Sequence, residues 1–262
     1  MPERTYYPDG APSWPELTAH DLPTAVRFYE KIFGWTCKDL GPKVWHYTMC
    51  LVDDKPVAAI TPPAVGLEST EAAWRVYLAT SDAEASAVQV EASNGKLVIL
   101  PMALPDFGAF ALAVDPEGAT FGLWQAGPHL GSRLYGEPGA MCWNELYARN
   151  TKVEDPFYES LFGYEEEQVG DGVDYDYVLW KIAGEPVCGR LRMPYEAARV
   201  PPHWKIYFTV ADCDATEAQV VLEGGSVLVG AYEMPHGRVA LLADPTGAAF
   251  AICEHTRESF TG

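Results

Sequence analysis

The chain has 262 residues, enough for two ordinary domains or one large one, and its 48% apolar and 21% charged composition suits a globular protein with a sizeable core. Against 18 Lys and Arg stand 37 Asp and Glu, a net charge of −19 that repels nucleic-acid phosphates and anionic lipid. The acidic surplus runs through both halves instead of forming a tail, so it reads as a solvating surface, and neither a nucleic acid nor a membrane is expected as a partner.

Residues 1–16 show no basic start followed by an apolar run, and the longest apolar stretch, 97–105, is too short to span a bilayer. Cys37, Cys50, Cys142, Cys188, Cys213 and Cys253 stand far apart, without a CxxC pair or zinc-type spacing. A soluble cytoplasmic protein with reduced, mostly buried thiols is expected.

In chain order, Trp14 to Ala19 alternates as a strand. Asp21 then serves as a helix N-cap with Pro23 in the first turn. Leu22, Ala25, Val26, Tyr29, Ile32 and Phe33 form an apolar stripe, and Gly34 supplies the left-handed stop. Strand runs at 47–52 and 56–60 are joined by the tight turn Asp53-Asp54, with His46 read as a strand residue beside Trp45 and Tyr47. The pattern restarts with a strand at 74–80, the N-cap Asp82, a helix to about Ser93, the stop Asn94-Gly95, and strands at 96–100, 109–114 and 120–124.

The whole pattern then recurs. Trp14, Glu16 and Leu17 return as Trp143, Glu145 and Leu146, and Phe28-Tyr29-Glu30 as Phe157-Tyr158-Glu159, at an offset of 129. Trp74, Tyr77 and Asp82 return as Trp204, Tyr207 and Asp212 at 130, and Asp115-Pro116 with Phe121 as Asp244-Pro245 with Phe250, back at 129. The fold class is α+β, built of tandem duplicated βαβββ units, four in all. They make a first domain at residues 1–128 and a second at 138–262, joined by a Gly/Pro-rich segment. In the second copy Asp155-Pro156 falls inside the expected first helix, which reads as starting late with Asp155 as its cap.

The four βαβββ units, the aromatic first helix ending in Phe33-Gly34-Trp35 or Phe162-Gly163-Tyr164, and the turns opened by Asp115-Pro116 and Asp244-Pro245 together resemble the vicinal oxygen chelate superfamily. That group contains glyoxalases, bleomycin-resistance proteins and extradiol dioxygenases. The openings Trp14-Pro15-Glu16-Leu17 and Trp143-Asn144-Glu145-Leu146 are most similar to its tandem two-domain actinobacterial branch. The resemblance implies paired units curling into a cleft for a small molecule, often over a divalent metal. Where metal-using members carry ligands, this chain has Trp14, Arg75 and Gly122, then Trp143, Lys205 and Ala251. Indole offers no lone pair, Arg and Lys are cations, and Gly and Ala have no ligand atom, so no metal is expected. No Walker loop or GxGxxG follows a strand, so no cofactor is expected either.

Alternation puts Leu17 and Ala19 under the helix and turns Trp14, Glu16 and Thr18 into the first cleft, with Trp143, Glu145 and Tyr147 in the second. Arg75 and Tyr77, or Lys205 and Tyr207, enter from the next unit, and Trp124 or Cys253 from the last strand. The candidate ligand-binding residues are therefore Trp14, Thr18, Arg75, Trp124, Trp143, Tyr147, Lys205 and Cys253. The candidate catalytic residues are Glu16 and Glu145 as general base or acid, with Tyr77 and Tyr207 holding an oxyanion. Two readings stay open for each group. The rings either stack on a planar ligand or fill the space of a lost metal, and each glutamate is either a base or the partner of Arg75 or Lys205 in an ion pair. Pairing of half-clefts within or across copies is equally open. His20, His46, His129, His203, His236 and His255 form no cluster in the sequence.

The tandem branch is associated with aromatic-antibiotic pathways and is often labelled hydroxylase. The resemblance thus implies a metal-independent protein of secondary metabolism that acts on, or assists hydroxylation or acid–base rearrangement of, a small aromatic or polycyclic metabolite. The alternative is a non-catalytic binding protein of the bleomycin-resistance kind. Tandem copies can close on each other as a monomeric pseudo-dimer, a homodimer being the other option. Cys253 in the place of Trp124 leaves more room in the second copy, where one ligand per chain is expected.

Overall fold

Asp21, Asp82 and Asp212 each accept the backbone N–H three residues on, at 3.0, 2.9 and 2.8 Å, and these caps set the starts of three of the four α-helices among the described residues. A computed structural model describes residues 3–64, 71–194, 197, 200–234 and 237–254; His236 and His255 lie outside the described residues. The first copy runs β1 (Pro12–Thr18), α1 (Leu22–Phe33), β2 (Thr36–Asp39), β3 (Thr48–Val52), β4 (Lys55–Thr61), β5 (Ala73–Ala79), α2 (Ala83–Ala92), β6 (Lys96–Leu104), β7 (Gly108–Val114) and β8 (Thr120–Ala126). The second runs β9 (Met141–Ala148), α3 (Thr151–Phe162), β10 (Glu165–Val169), β11 (Tyr177–Ile182), β12 (Glu185–Arg192), β13 (His203–Thr209), α4 (Cys213–Leu222), β14 (Ser226–Met234), β15 (Gly237–Ala243) and β16 (Ala249–Glu254).

Each copy makes its own eight-stranded sheet, in the order β2-β3-β4-β1-β5-β8-β7-β6 and β10-β11-β12-β9-β13-β16-β15-β14. The half-clefts therefore pair within copies. On β1 and β5 Glu16 faces Arg75 and Trp14 faces Tyr77; on β9 and β13 Glu145 faces Lys205 and Trp143 faces Tyr207. No helix of the described residues is long and apolar enough to cross a membrane.

The helix-side residues of both sheets, Leu17, Val76 and Leu78 with Leu146, Ile206 and Phe208, merge into one core. Each first helix reaches into the other copy: Tyr29 donates to Asp244 at 3.2 Å and Tyr158 donates to Asp115 at 3.1 Å. Phe28 lies off the apolar stripe of α1 yet is buried, because its ring meets Phe250 of the other copy at 6.3 Å. Trp35 donates to the Gly139 carbonyl of the connecting segment at 2.7 Å.

Two local expectations are corrected. The third strand starts at Thr48, because Trp45 and His46 adopt positive φ of 52° and 58° in a turn where His46 meets Asp39 at 2.8 Å. The helix α3 starts at Thr151, as early as α1 does in its copy, with Pro156 inside it. Its start is held from the first copy, since the Glu117 carboxylate accepts the Arg149 and Asn150 N–H groups at 2.8 and 2.7 Å. The hydrogen bond that Pro156 removes would end on the carbonyl of Lys152, an exposed residue that water can serve. Asp155 is no cap; it grips Arg190 through two bonds, both 2.8 Å.

At the same junction Glu154 is fully buried and takes the Glu117 N–H at 3.0 Å. Burial first, then the charge of Asp115, pushes its carboxyl far above the usual range, so the folded chain holds its proton. A folded-state pKa above the unfolded one contributes stability at low pH that is lost as pH rises past the ordinary glutamate value. Wild type is therefore expected to lose up to about 1.4 kcal/mol per pH unit from this site between about pH 6 and about pH 8. Glu154→Gln should remove that slope, as read by urea melts; identical slopes in both proteins would show that Glu154 is ionised when folded.

Candidate functional site

The two clefts share a plan and differ in what fills them. In the first, Trp14, Met49, Leu51, Ala59, Tyr77 and Trp124 pack into a separate apolar cluster joined by Tyr47, Phe107 and Phe110. Trp14, Tyr77 and Trp124 are 2%, 5% and 6% exposed. Gly122 permits this: a Cβ there would stand 2.0 Å from the Tyr77 ring, which lies flat on the β8 backbone. His129 from the connecting segment adds its ring 4.5 Å from Trp14 and 5.5 Å from Trp124, and burial pulls its pKa down to about 4, leaving it neutral.

Most polar groups in this first cleft are paired, the buried His129 Nε2 being an exception. Trp14 donates to the Tyr47 hydroxyl at 2.8 Å and Tyr77 donates to Glu16 at 3.0 Å. Arg75 donates to Thr18 at 2.6 Å and lies 3.7 Å from Glu16. Burial pushes the Glu16 carboxyl up, against the pull of Arg75. Trp14, Trp124 and Tyr77 are thus packed within one buried cluster. Gly122→Ala is expected to destabilise the chain by about 1–3 kcal/mol through the displaced Tyr77 ring, measurable as a lowered urea midpoint. An unchanged midpoint would contradict the flat packing.

The second cleft is less tightly filled. Trp143, Tyr147, Tyr177, Lys205 and Tyr207 are half-buried, with Glu145 at their base. Tyr177 and Tyr207 donate to the two oxygens of Glu145, both at 2.8 Å, and Trp143 donates to the Tyr177 hydroxyl at 2.9 Å. Tyr147 places its hydroxyl 3.5 Å from that of Tyr207, while His203 stacks on its ring at 5.1 Å. Burial and the neighbouring Glu145 push the Tyr147, Tyr177 and Tyr207 hydroxyls up, so all three stay protonated donors. Tyr175 and Tyr232, each 44% exposed, stand at the mouth, Tyr175 stacked over Tyr177 at 6.0 Å.

Of the two readings of Glu145, the ion pair with Lys205 does not occur among the described residues. The two phenols satisfy Glu145, and the Lys205 ammonium instead lies 3.7 Å from the centroid of Tyr147, the aromatic replacement of Thr18. Burial lowers the Lys205 pKa to about 8 against the pull of Glu145. Cys253 lies beside Cys142, Val239 and Tyr207 on the same face.

Tyr47 and Tyr177 were not among the residues singled out, although the 130-residue offset joins them and each receives the tryptophan N–H of its cleft. Gly189 is a further one: a Cβ there would meet the Tyr177 hydroxyl at 2.2 Å, whereas its counterpart in the first copy is Ala59. Two surface cavities lie outside the aromatic walls, about 230 Å³ beside Lys55, His129 and Arg133 and about 380 Å³ beside Asp155 and Glu166.

A divalent metal does not fit either cleft. The indole nitrogens of Trp14 and Trp143 are donors already bonded to tyrosines, and Gly122 and Ala251 carry no ligand atom. No metal-binding group of three or more His, Cys, Asp or Glu occurs among the described residues.

Two sheets of paired βαβββ units, each curled around a cleft, define a tandem two-module protein of the glyoxalase and dioxygenase type. In fold it is similar to the 2,3-dioxygenase LapB from Pseudomonas sp. KL28, with a TM-score of 0.65 at 13% identity over 97% of both chains. It is also similar to the Mn(II)-bound glyoxalase from Novosphingobium aromaticivorans, with a TM-score of 0.64 at 14% identity over 94% of this chain and 82% of that one. No family model matches the sequence. The chain is 35% identical over 269 residues to the anthracycline biosynthesis protein DauV of Streptomyces sp. strain C5, covering 98% of this chain and 97% of DauV. It is 34% identical over 258 residues to CFP32 of Mycobacterium tuberculosis, provisionally named a glyoxylase, covering 96% and 97%. The chain belongs to the vicinal oxygen chelate superfamily, alongside these relatives of matching length.

Proposed function

We propose that the second-copy cleft binds one planar, polycyclic aromatic metabolite of antibiotic polyketide metabolism and performs metal-independent acid–base chemistry on it. The observation that carries this reading is the placement of Glu145 between two phenol donors among half-buried aromatic side chains, while its copy Glu16 sits beside a fully packed cluster. The anthracycline biosynthesis names of DauV and of DnrV from Streptomyces peucetius, both 35% identical, support the substrate class.

In this reading the ligand stacks on Trp143, Tyr147 and Tyr177, whose flat faces suit a fused-ring system. Glu145 takes a proton from an enolisable C–H or phenol of the ligand. The Tyr207 hydroxyl, held protonated, then turns its donor to the oxyanion, and the Lys205 ammonium adds charge stabilisation nearby. A second reading, a non-catalytic holder, is favoured by one feature: both oxygens of Glu145 already accept hydrogen bonds from the chain itself. In either reading the shared core of the two copies supports a monomer that forms its own pseudo-dimer.

Deuterium exchange at the methylene of a hydroxyanthrone probe, followed by NMR, separates the two readings. The protein is expected to bind the probe and accelerate exchange. Binding without acceleration would leave the holder, and no binding would overturn both.

A further inference from the structure

We propose that Cys37 and Cys50 are a modification site, a dithiol that closes into a reversible cross-strand disulfide when peroxide reaches the first copy. The two residues are distant in sequence but directly opposed on the antiparallel strands β2 and β3. Their sulfurs are 2.7 Å apart. Directly opposed residues of antiparallel strands have Cα atoms about 4.5–5.5 Å apart, inside the range that a disulfide bridges without backbone movement. The first copy alone has this pair; the matching positions on β10 and β11 hold Glu166 and Trp180.

The two thiols are unequal in a way that orders the chemistry. Cys37 sits half-buried on an edge strand, and it is the one cysteine of the six that is not fully buried. Cys50 is buried, and burial with the adjacent Cys37 pushes its thiol well up, so alone it is a poor nucleophile. Peroxide meets Cys37 first, giving a sulfenic acid and one water. The Cys50 sulfur then attacks the Cys37 sulfur, the S–O bond breaks, and a second water leaves with the Cys50 proton. Two thiols are oxidised by two electrons in all, and one peroxide is reduced to two waters. A dithiol reductant reverses the bond by exchange.

The bond would tie β2, an outer strand of its sheet, to its neighbour. The strand follows directly on Trp35, which anchors the copy junction through Gly139, and the Cys37 N–H is already held by Glu30 of α1 at 3.2 Å. Fixing this corner should raise the thermal midpoint by roughly 5 °C.

The test treats the full chain with one equivalent of hydrogen peroxide, then counts thiols and maps peptides by mass spectrometry before and after dithiothreitol. Thiols titrated in denaturant are expected to fall from six to four. The peptides carrying residues 37 and 50 should be joined with the loss of two hydrogens, and the bond should disappear on reduction. Cys37→Ser, a near-isosteric change at a half-buried residue packed on the edge of the core, should abolish both the bond and the rise in thermal midpoint on peroxide treatment. A Cys37 that proceeds to sulfinic acid while Cys50 stays alkylatable would overturn the proposal, as would a bridge formed between Cys142 and Cys253 instead.

Discussion

Glu145→Gln is expected to slow exchange on a bound hydroxyanthrone by roughly 10²- to 10⁴-fold while changing its affinity by no more than about twofold. Glutamine keeps the shape of the base and removes the proton acceptor. It also strands one phenol, because its amide nitrogen cannot accept from Tyr177 or Tyr207, a cost of about 1–3 kcal/mol visible in a denaturant melt. Glu16→Gln makes the comparable change in the filled cleft and should leave exchange untouched. Equal slowing in both variants would place the chemistry outside the second copy. Full exchange in Glu145→Gln would remove Glu145 as the base.

Arg190→Met is expected to be the most destabilising of the substitutions considered, by about 3–5 kcal/mol in urea unfolding. Arg190 is 2% exposed, and its guanidinium spans two carboxylates, Asp155 on α3 through two bonds of 2.8 Å and Asp176 through one of 2.6 Å. Even with that partner, burial holds Asp155 up at about 6, so removing the cation leaves Asp155 poorly solvated beside Asp176, which keeps Arg192 at 3.5 Å. Lysine should not rescue, because a point charge cannot replace the fork that holds Asp155. A loss below about 1 kcal/mol would show that solvent reaches the carboxylates.

The fold was legible because the chain states it twice. Period and caps placed nearly every strand and helix, and the offset from Trp14 to Trp143 aligned the copies. The facing of Glu16, Arg75 and Tyr77 followed from alternation alone. What the repeat could not reveal are the places where the copies depart from each other through tertiary contacts. Arg190 stands where the first copy has Ile60, and Glu154 where it has Ala25, so nothing in the pattern signalled a buried ion network or a buried acid. Pro156 misled for a related reason, since the start of α3 is held by Glu117 from the other copy. The strand β2 is short and mostly exposed, without the apolar alternation that marks its neighbours. The unequal clefts were half legible: the change from Trp124 to Cys253 pointed to room in the second, but Gly122 acts through the Tyr77 ring, which only the fold brings onto it.

Isothermal titration of a hydroxyanthraquinone into wild type, Trp143→Ala and Trp14→Phe decides whether the second cleft alone holds the ligand. One planar ligand per chain is expected in wild type, with binding lost in Trp143→Ala and retained in Trp14→Phe, whose ring still fills the closed cleft. Two equal and independent sites, or loss in Trp14→Phe with retention in Trp143→Ala, would contradict it.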